Sequence, residues 1–282
     1  MQKATRIILT LLLFLLFFVW SEVIRGSNPD GYSLYFFDVG QGDAALIQRG
    51  SYQILIDGGP DDSVLTALGR VMPPSDRHIE MVILTHPHAD HYNGLIHVAS
   101  RYKIDRIFMN DMGDESPTYS EFIRRIISQN IAISVPDPSN VLFLPLGATL
   151  EFLWPYEAEG AANLNNISIV NRFCYVEKCA LLLGDLENDS QQALLASKPN
   201  KIRAEIIKIA HHGSRNASNS ALLQQVAPLY AVISVGADNR YKHPHPEALA
   251  IIEETRSVMW RTDQNGSVEF WISRGQLELI RH

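Results

Sequence analysis

The chain has 282 residues, 46% hydrophobic and 20% charged, with a formal net charge of −7 at pH 7. That composition excludes a disordered chain, and the length suits one well-buried core and excludes two large domains. The acidic balance argues against a protein that coats a polyanion through bulk charge.

The N-terminus differs from everything after it. Lys3 and Arg6 head an apolar run, Ile7 to Trp20, broken only by Thr10. The run falls short of the roughly 20 residues of a comfortable membrane span and has the length of a signal-peptide core. Val19 and Ser21 permit cleavage after Ser21, Val23 and Ile24 favour an uncleaved anchor, and a core helix at the chain start is a third reading. Residues 1–26 are therefore expected to be a signal peptide or N-terminal membrane anchor, and residues 27–282 one domain outside the cytoplasm.

A polar linker, Gly26 to Gly31, precedes short β-branched or aromatic runs that read as strands: Tyr32–Asp38, Ala44–Gln48 and Gln53–Asp57. Leu65–Met72 reads as a helix closed by Pro73 and Pro74, and Met81–Thr85 as a buried strand that stops at His86. Asn93–Lys103 and Ser120–Gln129 read as helices, with a strand between them at Asp105–Met109. Further strands are expected at Ile131–Val135, Thr149–Leu153, Ile167–Arg172, Ala180–Leu183, Glu205–Ala210, Tyr230–Val235 and, as the last, Ser267–Ile272. Helices are expected at Glu187–Ala196, Ser218–Val226 and Pro246–Thr255. Helices falling between groups of strands suit an α+β fold, a four-layer αββα sandwich with two mixed sheets face to face. Cys174 and Cys179 flank a hairpin and are either a disulfide, which export would permit, or two reduced small hydrophobes. No C-x-x-C pair of the kind used by cysteine zinc sites is present.

The segment Thr85-His-Pro-His-Ala-Asp-His91 sets four strong ligands within six residues, directly after a strand. Neutral imidazoles with a carboxylate are a donor set for first-row divalent metals, zinc in particular. Pro87 blocks helical spacing, so a loop is expected to aim His86 and His88 at one ion and Asp90 and His91 at its neighbour.

This H-x-H-x-D-H signature resembles that of the metallo-β-lactamase superfamily, and other pieces follow in the family's order. Asp57, ending Ile54-Leu-Ile-Asp-Gly-Gly59, looks like the aspartate that supports the ligand loop from behind. Asp185, in Leu181-Leu-Leu-Gly-Asp-Leu186, looks like the carboxylate bridging two metals. It is typical of phosphoesterase and thioesterase relatives, whereas β-lactamases usually differ there. His211, in Ile207-Lys-Ile-Ala-His-His-Gly-Ser214, would complete the second metal, and is preferred to His212 because it comes first after the strand. A narrower resemblance rests on Phe36-Phe-Asp-Val-Gly-Gln-Gly-Asp43, Asn165-Asn-Ile-Ser168, His211-His-Gly-Ser214, Ser234-Val-Gly-Ala-Asp-Asn239 and His243-Pro-His-Pro-Glu247. Together these look like the hydrolase domain of the ComEC competence proteins, over roughly Tyr32 to the C-terminus, without that family's multi-helix channel.

The resemblance implies an exported phosphodiesterase or nuclease acting on DNA or a related phosphodiester, with one or two divalent ions (zinc or manganese) activating water. Asp90 and Asp57 would orient the nucleophile or accept its proton, and His212, His243 and Lys242 would hold the phosphate or protonate the leaving group. The superfamily's third histidine for the first metal has no counterpart here, since His97 lies on the following helix. Asn165 and Asn166 fall where it belongs, as substrate contacts or as weaker amide donors suited to manganese or magnesium. Gly40 and Gly42 read as backbone requirements, with Asp43 placed to reach the substrate. His243 reads as functional and His245 as part of a rigid helix entry. Arg215, Arg240 and Lys242 are either phosphate-binding or solvated. Two other readings stay open: an acyl hydrolase of lactamase or thioesterase type, and a non-catalytic surface domain that binds DNA or a cell-wall polymer.

Overall fold

A computed structural model describes residues 2–26, 30–155 and 163–281; residues 27–29 of the expected linker lie outside the described residues. The first sheet contains β1 (Gly31–Phe36), β2 (Ala45–Arg49), β3 (Tyr52–Ile56), β4 (His78–Ile83), β5 (Lys103–Phe108) and β6 (Ala132–Ser134). The second contains β7 (Val141–Phe143), β8 (Thr149–Trp154), β9 (Val170–Tyr175), β10 (Lys178–Leu182), β11 (Ile206–Lys208), β12 (Tyr230–Ile233) and β13 (Val258–Arg261). The chain then returns to the first sheet with β14 (Val268–Ser273) and β15 (Gln276–Arg281). Strand order is β15-β14-β1-β2-β3-β4-β5-β6 in one sheet and β13-β12-β11-β10-β9-β8-β7 in the other. Each sheet is antiparallel on one side and parallel on the other, the parallel parts being β3 to β6 and β10 to β13.

The helices are α1 (Gln2–Gly26), α2 (Ser63–Val71), α3 (Ala89–Arg101), α4 (Pro117–Ser128), α5 (Asn188–Ser197), α6 (Ser220–Val226), α7 (Pro246–Glu254) and the single turn α8 (Thr262–Asn265). Period-two alternation along the strands builds the layers. Tyr32, Leu34 and Phe36 of β1 enter the core between the sheets, where they meet Phe152, Phe173, Ile206 and Val232. Their neighbour Tyr35 turns outward, into the layer where Leu46, Leu55 and Val82 pack on Leu68, Leu95 and Phe122 of α2, α3 and α4. On the other side Leu181, Ile207 and Ile233 pack on Leu194, Leu222 and Ile252 of α5, α6 and α7. Each fully buried Leu, Ile or Phe contributes about 1.5–3 kcal/mol, so three such layers hold the expected αββα sandwich together.

The structure corrects several expectations. Three strands were not predicted, Val141–Phe143, Val258–Arg261 and Gln276–Arg281, and the last of these replaces Ser267–Ile272 as the final strand. All three lie at sheet edges, where one neighbour suffices and the apolar signal is short. Helix α3 begins at Ala89 with His88 at its N-cap, not at Asn93, so Pro87 precedes the helix instead of blocking it. Asp90 and His91 therefore ride on its first turn. Gly94 fixes this helix against the β3 loop, because a Cβ there would lie 1.8 Å from the Gly58 carbonyl oxygen. The apolar side chains from Ile7 to Trp20 on α1 are exposed, and among the described residues no helix is long and apolar enough to cross a membrane.

Cys174 and Cys179 form a disulfide between directly paired positions of β9 and β10. Closing so short a loop removes little unfolded-state entropy. Replacing both cysteines by alanine is expected to lower stability by about 2 kcal/mol in denaturant unfolding, with the m-value unchanged.

Candidate metal centre

The parallel halves of both sheets end at the same edge of the sandwich, and each delivers part of one cluster. Asp57 follows β3, the His86–His91 segment follows β4, Asp185 follows β10, and His211 and His212 follow β11. Asp57 takes a left-handed conformation (φ 59°) that turns its carboxylate back under the ligand loop. Its Oδ1 accepts the Thr85 backbone N–H at 2.8 Å, and its Oδ2 accepts the Thr85 hydroxyl and His91 Nδ1–H, each at 2.8 Å. His86 Nδ1 donates to Thr85 Oγ1 at 3.1 Å, and His212 Nδ1 donates to the Ser234 carbonyl at 2.8 Å. In His86, His91 and His212, then, the Nδ1 atom is spoken for and Nε2 is left to point inward.

The three Nε2 atoms converge on Asp185, a carboxylate only 2% exposed. Its Oδ2 lies 3.9 Å from His86 Nε2, 3.5 Å from His91 Nε2, 3.6 Å from His212 Nε2 and 3.8 Å from His211 Nε2. His88 Nδ1 approaches His86 Nε2 to 3.0 Å, and Asp90 Oδ2 lies 3.3 Å from His212 Nε2. Presenting His211 and His212 side by side requires strain, since both are left-handed (φ 50° and 53°), a conformation costing an L-residue about 1–2 kcal/mol. Gly213 completes the turn at φ 79°, and a Cβ there would lie 2.6 Å from Pro244 Cβ.

Charge divides the histidines into two kinds. Burial and the neighbouring His91 hold His86 well below its ordinary range; burial and His91 likewise lower His88, and burial followed by His212 lowers His211. These rings are neutral and ready to ligate. Burial also opposes charge on His91 and His212, but carboxylates outweigh it. Asp185 and Asp57 raise His91 well above 6.5, and Asp185 and Asp43 push His212 up to about 10. Asp185 and Asp90 stay ionised despite burial, because His212 and His91 stabilise their charge.

His91 Nε2 and His212 Nε2 are buried without a hydrogen-bond partner, which is costly for an imidazole unless something else takes the nitrogen. Together with Asp185, Asp90 and His86 they make the donor set of a divalent first-row ion, and the residues fit one. A proton on each of these two nitrogens must leave when a metal binds. At pH 7.5, titration with zinc or manganese is therefore expected to release one proton from each ring, seen calorimetrically as a heat that varies with buffer ionisation enthalpy. Without metal, the same raised rings stabilise the fold below pH 6.5 and lose that contribution as pH climbs toward 10. Buffer-independent heats would contradict the assignment.

A cavity of about 350 Å³ opens onto the cluster and is walled by His88, Asp90, Asp185, His211, His212, His243, Gln41, Ala89 and Tyr241. His243 is half-buried, and burial with His212 and His211 lowers it to about 4. It faces the cavity as a neutral ring, the role expected from sequence being to hold the phosphate or protonate the leaving group. His212, expected to hold phosphate or protonate a leaving group, instead sits with Asp90 and His91 as a buried donor, the place expected for His211. His211 is more open, its side chain 25% exposed, and lies between Asp185 and Glu187.

Six other residues are not brought to the cavity wall. Asp57 has both oxygens engaged behind the ligand loop. Asn165 donates to Glu187 Oε1 at 2.9 Å and Asn166 Oδ1 accepts the Glu187 N–H at 3.2 Å, so the pair braces the loop after Asp185. Lys242 is exposed and does not line the cavity. Asp43 is buried, in contact with Lys208 and 3.4 Å from His212 Nδ1. His245 accepts the Arg215 N–H at 3.2 Å at the start of α7.

Lys208 was missed from the sequence. It is 3% exposed, donates to the Gly184 carbonyl at 3.3 Å, and lies 3.8 Å from Asp185 Oδ1. A single lysine inside the apolar run Ile206 to Ala210 was the available signal, since a buried ammonium needs a partner.

Comparison with known proteins agrees with this geometry. The family model of the metallo-beta-lactamase superfamily matches residues 37–237. ComE operon protein 3 of Bacillus subtilis (strain 168) is 30% identical over 255 residues, covering 83% of this chain and 32% of that protein. Competence protein ComA of Neisseria gonorrhoeae is 25% identical over 249 residues, covering 87% and 33%. The chain thus spans about a third of the length of these curated relatives, and the resemblance to competence proteins read from sequence is borne out. The metallo-beta-lactamase fold protein YhfI of Bacillus subtilis superposes with a TM-score of 0.55 over 84% of this chain and 99% of its own, at 15% identity, a likeness of fold alone. Since the family match runs from just after β1 through the ligand loop and past His212, this chain belongs to the metallo-beta-lactamase superfamily of metal-dependent hydrolases.

Proposed function

We infer that this chain is a metal-dependent phosphodiesterase acting outside the cytoplasm on DNA or a related phosphodiester. One observation carries the reading: four imidazole Nε2 atoms lie within 3.5–3.9 Å of a single carboxylate oxygen, Asp185 Oδ2. With His88 and Asp90 added, that is more donors than one tetrahedral ion uses, so these residues would hold two ions, zinc or manganese. When bound, such ions supply Lewis acidity, lower the pKa of water and offset charge growing on phosphoryl oxygens.

The protein's own groups do the rest. His86, His88 and His211 offer neutral nitrogens, and His91 and His212 offer theirs once their protons leave. Asp57, Thr85 and Ser234 lock the ring orientations, so little reorganisation accompanies binding. Asp90 is ionised and partly open to the cavity, placed to orient a water or take its proton. His243, neutral and facing the same space, hydrogen-bonds a phosphoryl oxygen. Relatives named for competence support a nucleic acid as the phosphodiester. The exposed apolar face of α1 and the Cys174–Cys179 disulfide support export or anchoring by residues 1–26.

The test is hydrolysis of single-stranded DNA and bis-p-nitrophenyl phosphate by the full chain with manganese, zinc or chelator, beside Asp90→Ala. Metal-dependent cleavage lost in the variant is expected. A folded, metal-loaded protein that turns over neither phosphodiester overturns the reading, and nitrocefin turnover in its place would assign acyl chemistry.

A further inference from the structure

Next to the metal centre lies a second cavity of about 410 Å³, which shares Asp90 and Tyr241 with the first and continues past Pro60, Asn93 and Arg240. Tyr241 stands between the two with 46% of its surface exposed. Its ring stacks on His243 (centroids 5.7 Å apart, planes at 22°). The exposed guanidinium of Arg240 lies 4.8 Å from the ring centroid and donates to Tyr241 Oη at 2.6 Å. The loop is held rigid from below: Asn239 Nδ2 donates to the carbonyls of Gly236 and His243, and its Oδ1 accepts the His243 N–H. Asn93 lines the same cavity, and its Oδ1 is a shielded acceptor with no hydrogen-bond partner.

We propose that this second cavity is a nucleobase subsite: Tyr241 stacks one base of a nucleotide substrate, Asn93 accepts from the base edge, and Arg240 pairs with the neighbouring phosphate. The assignment rests on the phosphodiesterase reading and narrows it, because an aromatic face recognises a base, whereas a polyol-phosphate polymer has only the Arg240 guanidinium to engage. Stacking on an aromatic side chain is worth about 1–3 kcal/mol per base, enough to set substrate preference. Because Tyr241 borders both cavities, a stacked base leaves the adjoining phosphodiester beside Asp90 and Asp185.

Two substrates sharing one leaving group read the subsite: thymidine 5′-(p-nitrophenyl phosphate) and methyl p-nitrophenyl phosphate. The full chain is expected to prefer the thymidine ester in kcat/KM, Tyr241→Ala to lower that preference about tenfold, and Tyr241→Phe to keep it. A preference equal in Tyr241→Ala and the parent overturns the subsite. Binding provides a readout that needs no turnover: oligothymidylate against an abasic deoxyribose-phosphate oligomer of the same length, by fluorescence anisotropy. Tighter binding of the oligothymidylate that Tyr241→Ala abolishes supports the proposal even if neither ester is cleaved, in which case only the phosphodiesterase reading falls. Equal binding of the two oligomers by the parent chain overturns it.

Discussion

Asp185→Asn is expected to lower metal affinity by at least about a hundredfold, and turnover with it, while the chain stays folded. The upper end of what an outer-shell partner contributes is already about a hundredfold, and Asp185 stands at the centre of the donor set. Its Oδ2 has four Nε2 neighbours within 3.9 Å, and an amide of the same shape presents them with either a neutral oxygen or an N–H. The fold survives because each cation near Asp185 has another anion. His91 keeps Asp57 at 2.8 Å, His212 keeps Asp43 at 3.4 Å, and Lys208 keeps Asp43. Asp185 is also the largest influence holding His212 up near pH 10, so the variant's His212 should titrate lower by NMR. Metal content by mass spectrometry beside a thermal melt checks the pair of claims. Normal occupancy in a folded variant would show that the carboxylate is not shared by the metals.

How much of this was legible beforehand depends on the range of the interaction. The H-x-H-x-D-H segment and the Asp57 loop are local patterns, and strand alternation in runs such as Tyr32–Phe36 carries the layer assignment directly. Edge strands such as Val258–Arg261 were hidden because four residues with one sheet neighbour leave almost no periodic signal. The choice between His211 and His212 was out of reach for a different reason. Chain order says nothing about two consecutive left-handed residues, and that backbone, not distance from the strand, sends His212 inward beside Asp90 and His91. The bracing of the loop by Asn165 and Asn166 was hidden because their partner, Glu187, is about 20 residues away, and only the fold brings the loops together. Lys208 was overlooked because its partner Asp43 lies in a loop of the opposite sheet.

That cross-sheet pair gives the largest expected effect on stability. Lys208 shares a strand face with Ile206, which packs between the sheets, so its ammonium reaches across the sandwich to Asp43 in the loop joining β1 to β2. Burial disfavours both charges, yet Asp43 and Asp185 keep the lysine protonated, while Lys208 and His212 keep Asp43 ionised. Lys208→Met fills the space but strands a buried carboxylate, and breaking such a pair from one side costs about 3–5 kcal/mol. Removing the second charge as well relieves that penalty, so Lys208→Met with Asp43→Asn is expected to recover most of the loss in denaturant unfolding. Metal affinity should not recover with it. Lys208 stands 3.8 Å from Asp185 Oδ1 and keeps that oxygen turned to the sheet, leaving Oδ2 to the imidazoles. A double variant that regains stability yet binds metal weakly separates the two roles. A Lys208→Met variant destabilised by less than about 1 kcal/mol would show that the pair carries no more than an exposed salt bridge does.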